Sequence, residues 1–116
     1  MTTELDENIL NFLQGYCSEI TYENHEFVIY EGHVPRVGFI LLEGKIEIHM
    51  SKTKKEVPPK AGVALREVAN MEPYKYSVKI YPNTKVLPLD RHTLKSLAEV
   101  EDEVIRNFAT EMLLIA

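Results

Sequence analysis

The chain has 116 residues, 45% of them hydrophobic and 27% charged, and a formal net charge of −5. That length and balance predict one domain with a single core and exclude two independent domains, a disordered chain or a fibrous repeat. The acidic balance argues against a nucleic-acid binder, the lone Cys17 excludes an internal disulfide, and no run approaches the roughly 18 apolar residues of a membrane span. The first ten residues hold three acids and no base, unlike a signal peptide, so a cytoplasmic location is expected.

The first element predicted is a helix over residues 1–16. Leu5, Ile9, Phe12 and Leu13 recur at helical spacing, Thr3 with Asp6 makes a start resembling a capping box, and Gly15 is a stop. From Ile20 to Met50 the pattern turns to strands. Phe27-Val28-Ile29-Tyr30 is β-branched and aromatic, Phe39-Ile40-Leu41-Leu42 is a short buried run, and residues 45–50 alternate strictly. Turns at Glu31-Gly32-His33, Pro35-Arg36 and Glu43-Gly44-Lys45 separate them.

Charge then changes sign. Residues 1–50 hold nine acids and two bases, residues 51–95 ten bases and four acids, and residues 96–116 five acids and one base. Lys52, Lys54, Lys55 and Lys60 read as an exposed loop, with a local anion site as the sharper alternative. After Pro58-Pro59, residues 63–70 have the length of about two helical turns. Residues 74–80 alternate again, placing Tyr74, Tyr76, Val78 and Ile80 on one face. A last strand, 84–89, is confined by Pro88 to an edge or a bulge. Asp90 is an N-cap for a helix over 91–98, and a final helix runs from about Val100 to the end.

Short strands bracketed by one helix before and two after predict an α+β fold, an antiparallel, jelly-roll-like β-roll. Its parts are a helix over 1–16, a roll over 17–90 with a short helix near 63–70, and two helices over 91–116. The stretch Ile29-Tyr30-Glu31-Gly32-His33 through Gly38-Phe39-Ile40-Leu41-Leu42-Glu43-Gly44 to Ile48 resembles the opening half of a cyclic-nucleotide-binding domain. Val78 to Leu89, followed by Asp90-Arg91 and Leu94, is similar to that family's closing strands and exit helix, so the resemblance spans roughly residues 9–116.

The resemblance implies a phosphate-binding cassette. In the family, a Gly-Glu pair holds the ribose 2′-OH and a Pro-Arg pair neutralises the cyclic phosphate. Here Gly62 and Pro73 match, but Val63 and Tyr74 stand where the Glu and Arg belong. Arg66, Glu67 and Lys75 are substitutes nearby, although Lys75 lies one residue along and so on the opposite face, and a Lys lacks the guanidinium fork. Arg66-Glu67 also reads as a solvated helical pair. The cassette candidates are therefore Gly62, Val63, Arg66, Glu67, Tyr74, Lys75 and Tyr76. Tyr74 and Tyr76 would fill the nucleotide cavity if they point inward and form a contact patch if outward; burial of Val78 and Ile80 on their face favours filling.

Other chemistry is thin. His25, His33, His49 and His92 are scattered with no partners at metal-ligand spacing, His49 reads as an exposed strand residue, and no nucleophile or paired-acid motif appears. The C-terminal segment carries an apolar stripe through Val100, Val104, Ile105, Phe108, Ala109, Met112, Leu113 and Ala116. Met112 to Ala116 is apolar beyond that stripe, which points to a partner surface or a longer parent chain. An interface through Val104, Ile105, Phe108, Met112 and Leu113, to a protein partner or a second copy, is expected. No helix-turn-helix lies in these residues, so DNA is not an expected partner, and without a membrane-length apolar run neither is a membrane. The reading is a non-catalytic regulatory or protein-interaction module, impaired in ordinary cAMP and cGMP binding and without a cofactor. The alternatives are a second-messenger sensor with an atypical cassette and, third, a small cupin-type enzyme.

Overall fold

A computed structural model of the chain describes residues 2–113. In chain order the elements are β1 (Thr2–Glu4), α1 (Glu7–Tyr16), β2 (Ile20–Tyr22), β3 (Glu26–Ile29), β4 (Val37–Glu43), β5 (Ile46–His49) and β6 (Lys54–Glu56). They continue as β7 (Ala61–Val63), α2 (Leu65–Asn70), β8 (Ser77–Ile80), β9 (Thr84–Asp90), α3 (Arg91–Leu97) and α4 (Glu103–Met112). The strands form two antiparallel sheets, a five-stranded one in the order β1-β7-β4-β9-β2 and a four-stranded one in the order β3-β8-β5-β6. This is the α+β antiparallel roll that the pattern of short strands and flanking helices predicts.

Alternation along the two central strands builds two cores. Phe39 and Leu41 of β4 and Val86 of β9 face the interior between the sheets, with Ile46, Ile48, Val78 and Ile80 opposite. Ile40 of β4 and Leu87 and Leu89 of β9 face the other way, onto a layer made by Leu10 and Leu13, Val68 and Ala69, Leu94 and Leu97, and Ile105 and Phe108. A strand buried on both faces must be apolar at every position, which is why residues 39–42 read as an unbroken hydrophobic run. Pro88 lies opposite Phe39, beyond the point where β2 stops pairing at Val86. The strand is therefore central rather than an edge, and the proline occupies its one-sided end, where a missing N–H leaves no second ladder unpaired.

Several boundaries differ from the sequence reading. Thr3 is in strand β1, paired with Gly62, and Asp6 alone caps α1 by accepting from the Asn8 N–H at 2.7 Å. Gly15 lies inside α1, which ends on Cys17. Part of the lysine-rich stretch is the edge strand β6, whose three residues are all exposed, and Lys60 forms an exposed ion pair with Glu7 at 3.3 Å. Tyr74 and Tyr76 precede β8 rather than forming part of it.

The C-terminal helix is shorter than its stripe suggested. Asp102 caps it by accepting from Val104 and Ile105 N–H groups, while Arg106 donates back to the Val100 and Glu101 carbonyls. The ten residues of α4 extend about 15 Å, and the helix expected from about Val100 starts at Glu103 instead. Ile105, Phe108 and Met112 are buried in this chain's own core, with Leu113 packed against them, and only Val104 of the expected interface is well exposed, at 53%. An apolar stripe needs a mate, and here α1, α2 and α3 supply it. Leu114, Ile115 and Ala116 lie outside the described residues.

The turn between β4 and β5 shows the tightest backbone approach. Gly44 has φ +98°, and a Cβ there would meet Thr84 Oγ1 at 2.5 Å and Thr84 Cα at 2.6 Å. The buried Thr84 hydroxyl clamps this turn, accepting from the Lys45 N–H at 3.0 Å and donating to the Lys45 carbonyl at 3.2 Å. Gly44→Ala is expected to cost about 2–4 kcal/mol, combining left-handed strain with a backbone clash. Gly15→Ala, in the open interior of α1, should instead raise stability by up to about 1 kcal/mol. Urea unfolding of both variants checks this opposition of sign.

Candidate functional site

The segment from β7 to β8 is the candidate site. Strand β7 is held on both sides, Val63 opposite Thr2 of β1 and Phe39 of β4. Ala64 then takes a left-handed conformation (φ 63°) and opens α2, whose Leu65, Val68 and Ala69 are buried. The helix ends on Met71, again left-handed (φ 56°), with the Met71 and Glu72 N–H groups both donating to the Glu67 carbonyl. This closes the orphan carbonyls of the last turn.

Side chains lock α2 to the other helices. Arg91 Nε donates to the Ala69 carbonyl at 2.8 Å, Arg66 Nη1 to the Glu111 carbonyl at 3.0 Å, and Asn70 Nδ2 to the Arg66 and Met112 carbonyls at 3.0 and 3.1 Å. Arg66 thus caps the carbonyl end of α4, where a cation is favoured by the helix dipole.

Beyond α2 the chain dives into the roll. Tyr74 is 2% exposed, and its backbone pairs with the β3–β4 turn: the Gly32 N–H donates to the Tyr74 carbonyl at 2.8 Å and the Tyr74 N–H to the His33 carbonyl at 3.0 Å. Its ring meets Tyr76 edge-on at 6.3 Å. Burial, then the charges of Glu67 and Tyr76, push the Tyr74 phenol well above its ordinary range. Val63 is 0% exposed and packs in the same core.

No protein-family model matches the chain, and no curated sequence is significantly similar to it. Solved structures do match. One, from work on a cyclic-GMP-dependent signalling pathway that regulates bacterial phytopathogenesis, superposes with a TM-score of 0.78 at 12% identity, covering 94% of this chain and 91% of that one. A putative cyclic nucleotide-binding protein from Geobacter metallireducens gives a TM-score of 0.64 at 17% identity, covering 94% and 82%. PKAR CBD2 bound to Sp-2Cl-cAMPS gives 0.65 at 21% identity, covering 92% and 75%. The chain has the fold of a cyclic-nucleotide-binding domain.

Within that fold the candidate cassette residues do not converge. Val63, Tyr74 and, in part, Tyr76 join the core between the sheets, and Gly62 sits within β7 with Leu65 packed against it. Lys75 is exposed next to the buried Tyr74, Arg66 reaches α4, and Glu67 is half-buried on α2. Cys17 offers no activated thiolate either, since burial and then the charge of Asp90 raise its pKa.

One polar network escaped the sequence reading. On the outer face of the four-stranded sheet, Tyr81 donates its hydroxyl proton to Glu47 Oε1, His49 Nε2 lies 3.1 Å from that same oxygen, and Lys45 Nζ lies 3.3 Å from Oε2. His49 is thus half-buried and partnered rather than an exposed strand residue. The alternation of Lys45, Glu47 and His49 was visible in sequence, but Tyr81 comes from 34 residues away. The Tyr81 hydrogen bond, opposed by burial and aided by His49 and Lys45, holds the Glu47 carboxyl down at about 2 against an ordinary 4.5.

A depressed folded-state pKa stabilises the fold above the unfolded value. The Glu47 contribution is therefore present above about pH 4.5 and is lost as pH falls through about 2. Tyr81→Phe should raise the Glu47 pKa and move acid unfolding to higher pH. A carboxyl NMR titration of both proteins checks it; an unmoved Glu47 would assign the shift to another cause.

Proposed function

We propose that the chain is a non-catalytic regulatory module that works by binding a protein partner, and that its roll interior does not take cyclic AMP or cyclic GMP in the family's ordinary way. The observation that carries this reading is the burial of Val63 and Tyr74, at 0% and 2% exposure, where the resemblance places the ribose-binding Glu and the phosphate-binding Arg. Each lost charge-assisted contact weakens binding by about 1.5–3 kcal/mol, roughly tenfold to a hundredfold, and the two losses compound. The Tyr74 ring also occupies volume a nucleotide would need. Neither anchor is recovered nearby, because Lys75 faces solvent and Arg66 is engaged with the Glu111 carbonyl.

The second reading is a second-messenger sensor with a rearranged cassette. It is favoured by the solved neighbours, one a putative cyclic nucleotide-binding protein and one bound to Sp-2Cl-cAMPS. In that case Arg66, Glu67 and Lys75 would supply the polar contacts.

Titration calorimetry with cyclic AMP and cyclic GMP, backed by thermal shift, separates the two. The expected outcome is no binding at low-micromolar concentrations and no stabilisation. A ligand present at about a hundred times its dissociation constant would add about 2.7 kcal/mol, and a low-micromolar dissociation constant would overturn the proposal. Binding that weakens about tenfold in both Lys75→Ala and Arg66→Ala would establish the sensor instead.

A further inference from the structure

Outside the roll interior, a groove of about 540 Å³ runs between the β3–β4 loop, the end of α2 and the start of α3. Its apolar lining comes from Val34, Pro35, Val68 and Met71, and its charged lining from Arg36, Asp90, Arg91 and the neighbouring His92. The volume is within the range of sites that bind ligands. Two of its walls stay open, however, with Val34 48% and Met71 65% exposed, so an occupant lies across the groove rather than being enclosed by it.

The charges are uneven in their availability. The Asp90 carboxylate is occupied as the cap of α3, accepting from the Thr93 N–H at 2.8 Å. Arg91 uses only Nε, on the Ala69 carbonyl, and its two terminal nitrogens have no partner among the described residues. Arg36 is exposed and has no partner among them at all. Two guanidinium groups therefore flank an apolar strip in a chain whose net charge is −5. A planar fork with free donors is suited to gripping a carboxylate bidentately.

Met71 supplies an independent observation. It holds a left-handed conformation, which glycine takes without steric penalty, and it directs a large apolar side chain into solvent at the groove. Local stability favours neither choice, whereas contact with an occupant would account for both.

We infer that this groove docks an extended segment of a partner protein in which an acidic side chain stands beside a bulky apolar one, the carboxylate on Arg36 and Arg91 and the apolar group on Val34 and Met71. The inference rests on the reading of the chain as an interaction module and names the surface that module uses. It involves no residue of the roll interior, so cyclic nucleotide binding there would overturn the functional reading without touching the groove.

The test is selection of a displayed library of random dodecapeptides on the full chain, followed by affinity measurement with a synthetic copy of the strongest peptide. The expected winners carry at least one acid next to a large apolar residue. Arg36→Glu, on an exposed loop with no partner among the described residues to lose, should weaken the synthetic peptide at least tenfold. Met71→Gly should weaken it similarly while raising the urea midpoint, a combination that a merely structural role for Met71 would not give. No enrichment, winners without acids, or affinity unchanged in both variants would overturn the inference. So would self-association of the chain that Arg36→Glu abolishes, which would make a second copy the occupant.

Discussion

The pairing of β4 with β9 is the constraint on which the remaining structure depends. Both strands are buried on both faces along their central residues, so the apolar side chains there are committed to one of two cores. The roll interior takes Phe39, Leu41 and Val86, and the helical layer takes Ile40, Leu87 and Leu89. A one-residue slip in this ladder would exchange the two sets and expose neither, yet it would put every side chain against the wrong neighbours. The Thr84 hydroxyl at the Gly44 turn helps hold the register where β4 gives way to β5.

That ladder fixes where the cassette segment can go. β7 pairs with β4, so Val63 is placed in the roll interior by backbone hydrogen bonding before its side chain matters. A carboxylate there would be buried among apolar groups with the desolvation penalty that implies. Tyr74 is tied by two backbone hydrogen bonds to the Gly32–His33 turn, which points its ring into the same space. The helix between them is joined to α3 by Arg91 and to α4 by Arg66 and Asn70, so the layer of helices and the cassette form one connected body.

What the sequence disclosed follows from which signals are local. The run at 39–42, the strict alternation at 45–50 and the Asp90 cap are all carried by neighbours in the chain, and each element stands close to where it was placed. Strands β1, β2, β6 and β7 have three residues each, too few to show a period, and exist because longer strands offer them a partner. The resemblance singles out Val63 and Tyr74, and the burial of Tyr74 follows the expectation drawn from Val78 and Ile80 on its face. The stripe on α4 was legible as an apolar face, but amphipathicity says that a helix needs a mate without saying whether the mate is in the same chain. The Glu47 network needed Tyr81, and the groove needed three distant segments, so no spacing rule could reveal either.

The edge strand β6 has a consequence beyond this fold's own packing. Its residues Lys54, Lys55 and Glu56 are all exposed, on a strand that among the described residues pairs with β5 alone. An unpaired edge is a template on which another chain's strand can add, the first step toward β-aggregation. Two adjacent ammonium groups oppose that step, since a strand arriving at this edge must desolvate charge. The lysines that read as an exposed loop in the sequence thus oppose strand addition at the β6 edge of the four-stranded sheet.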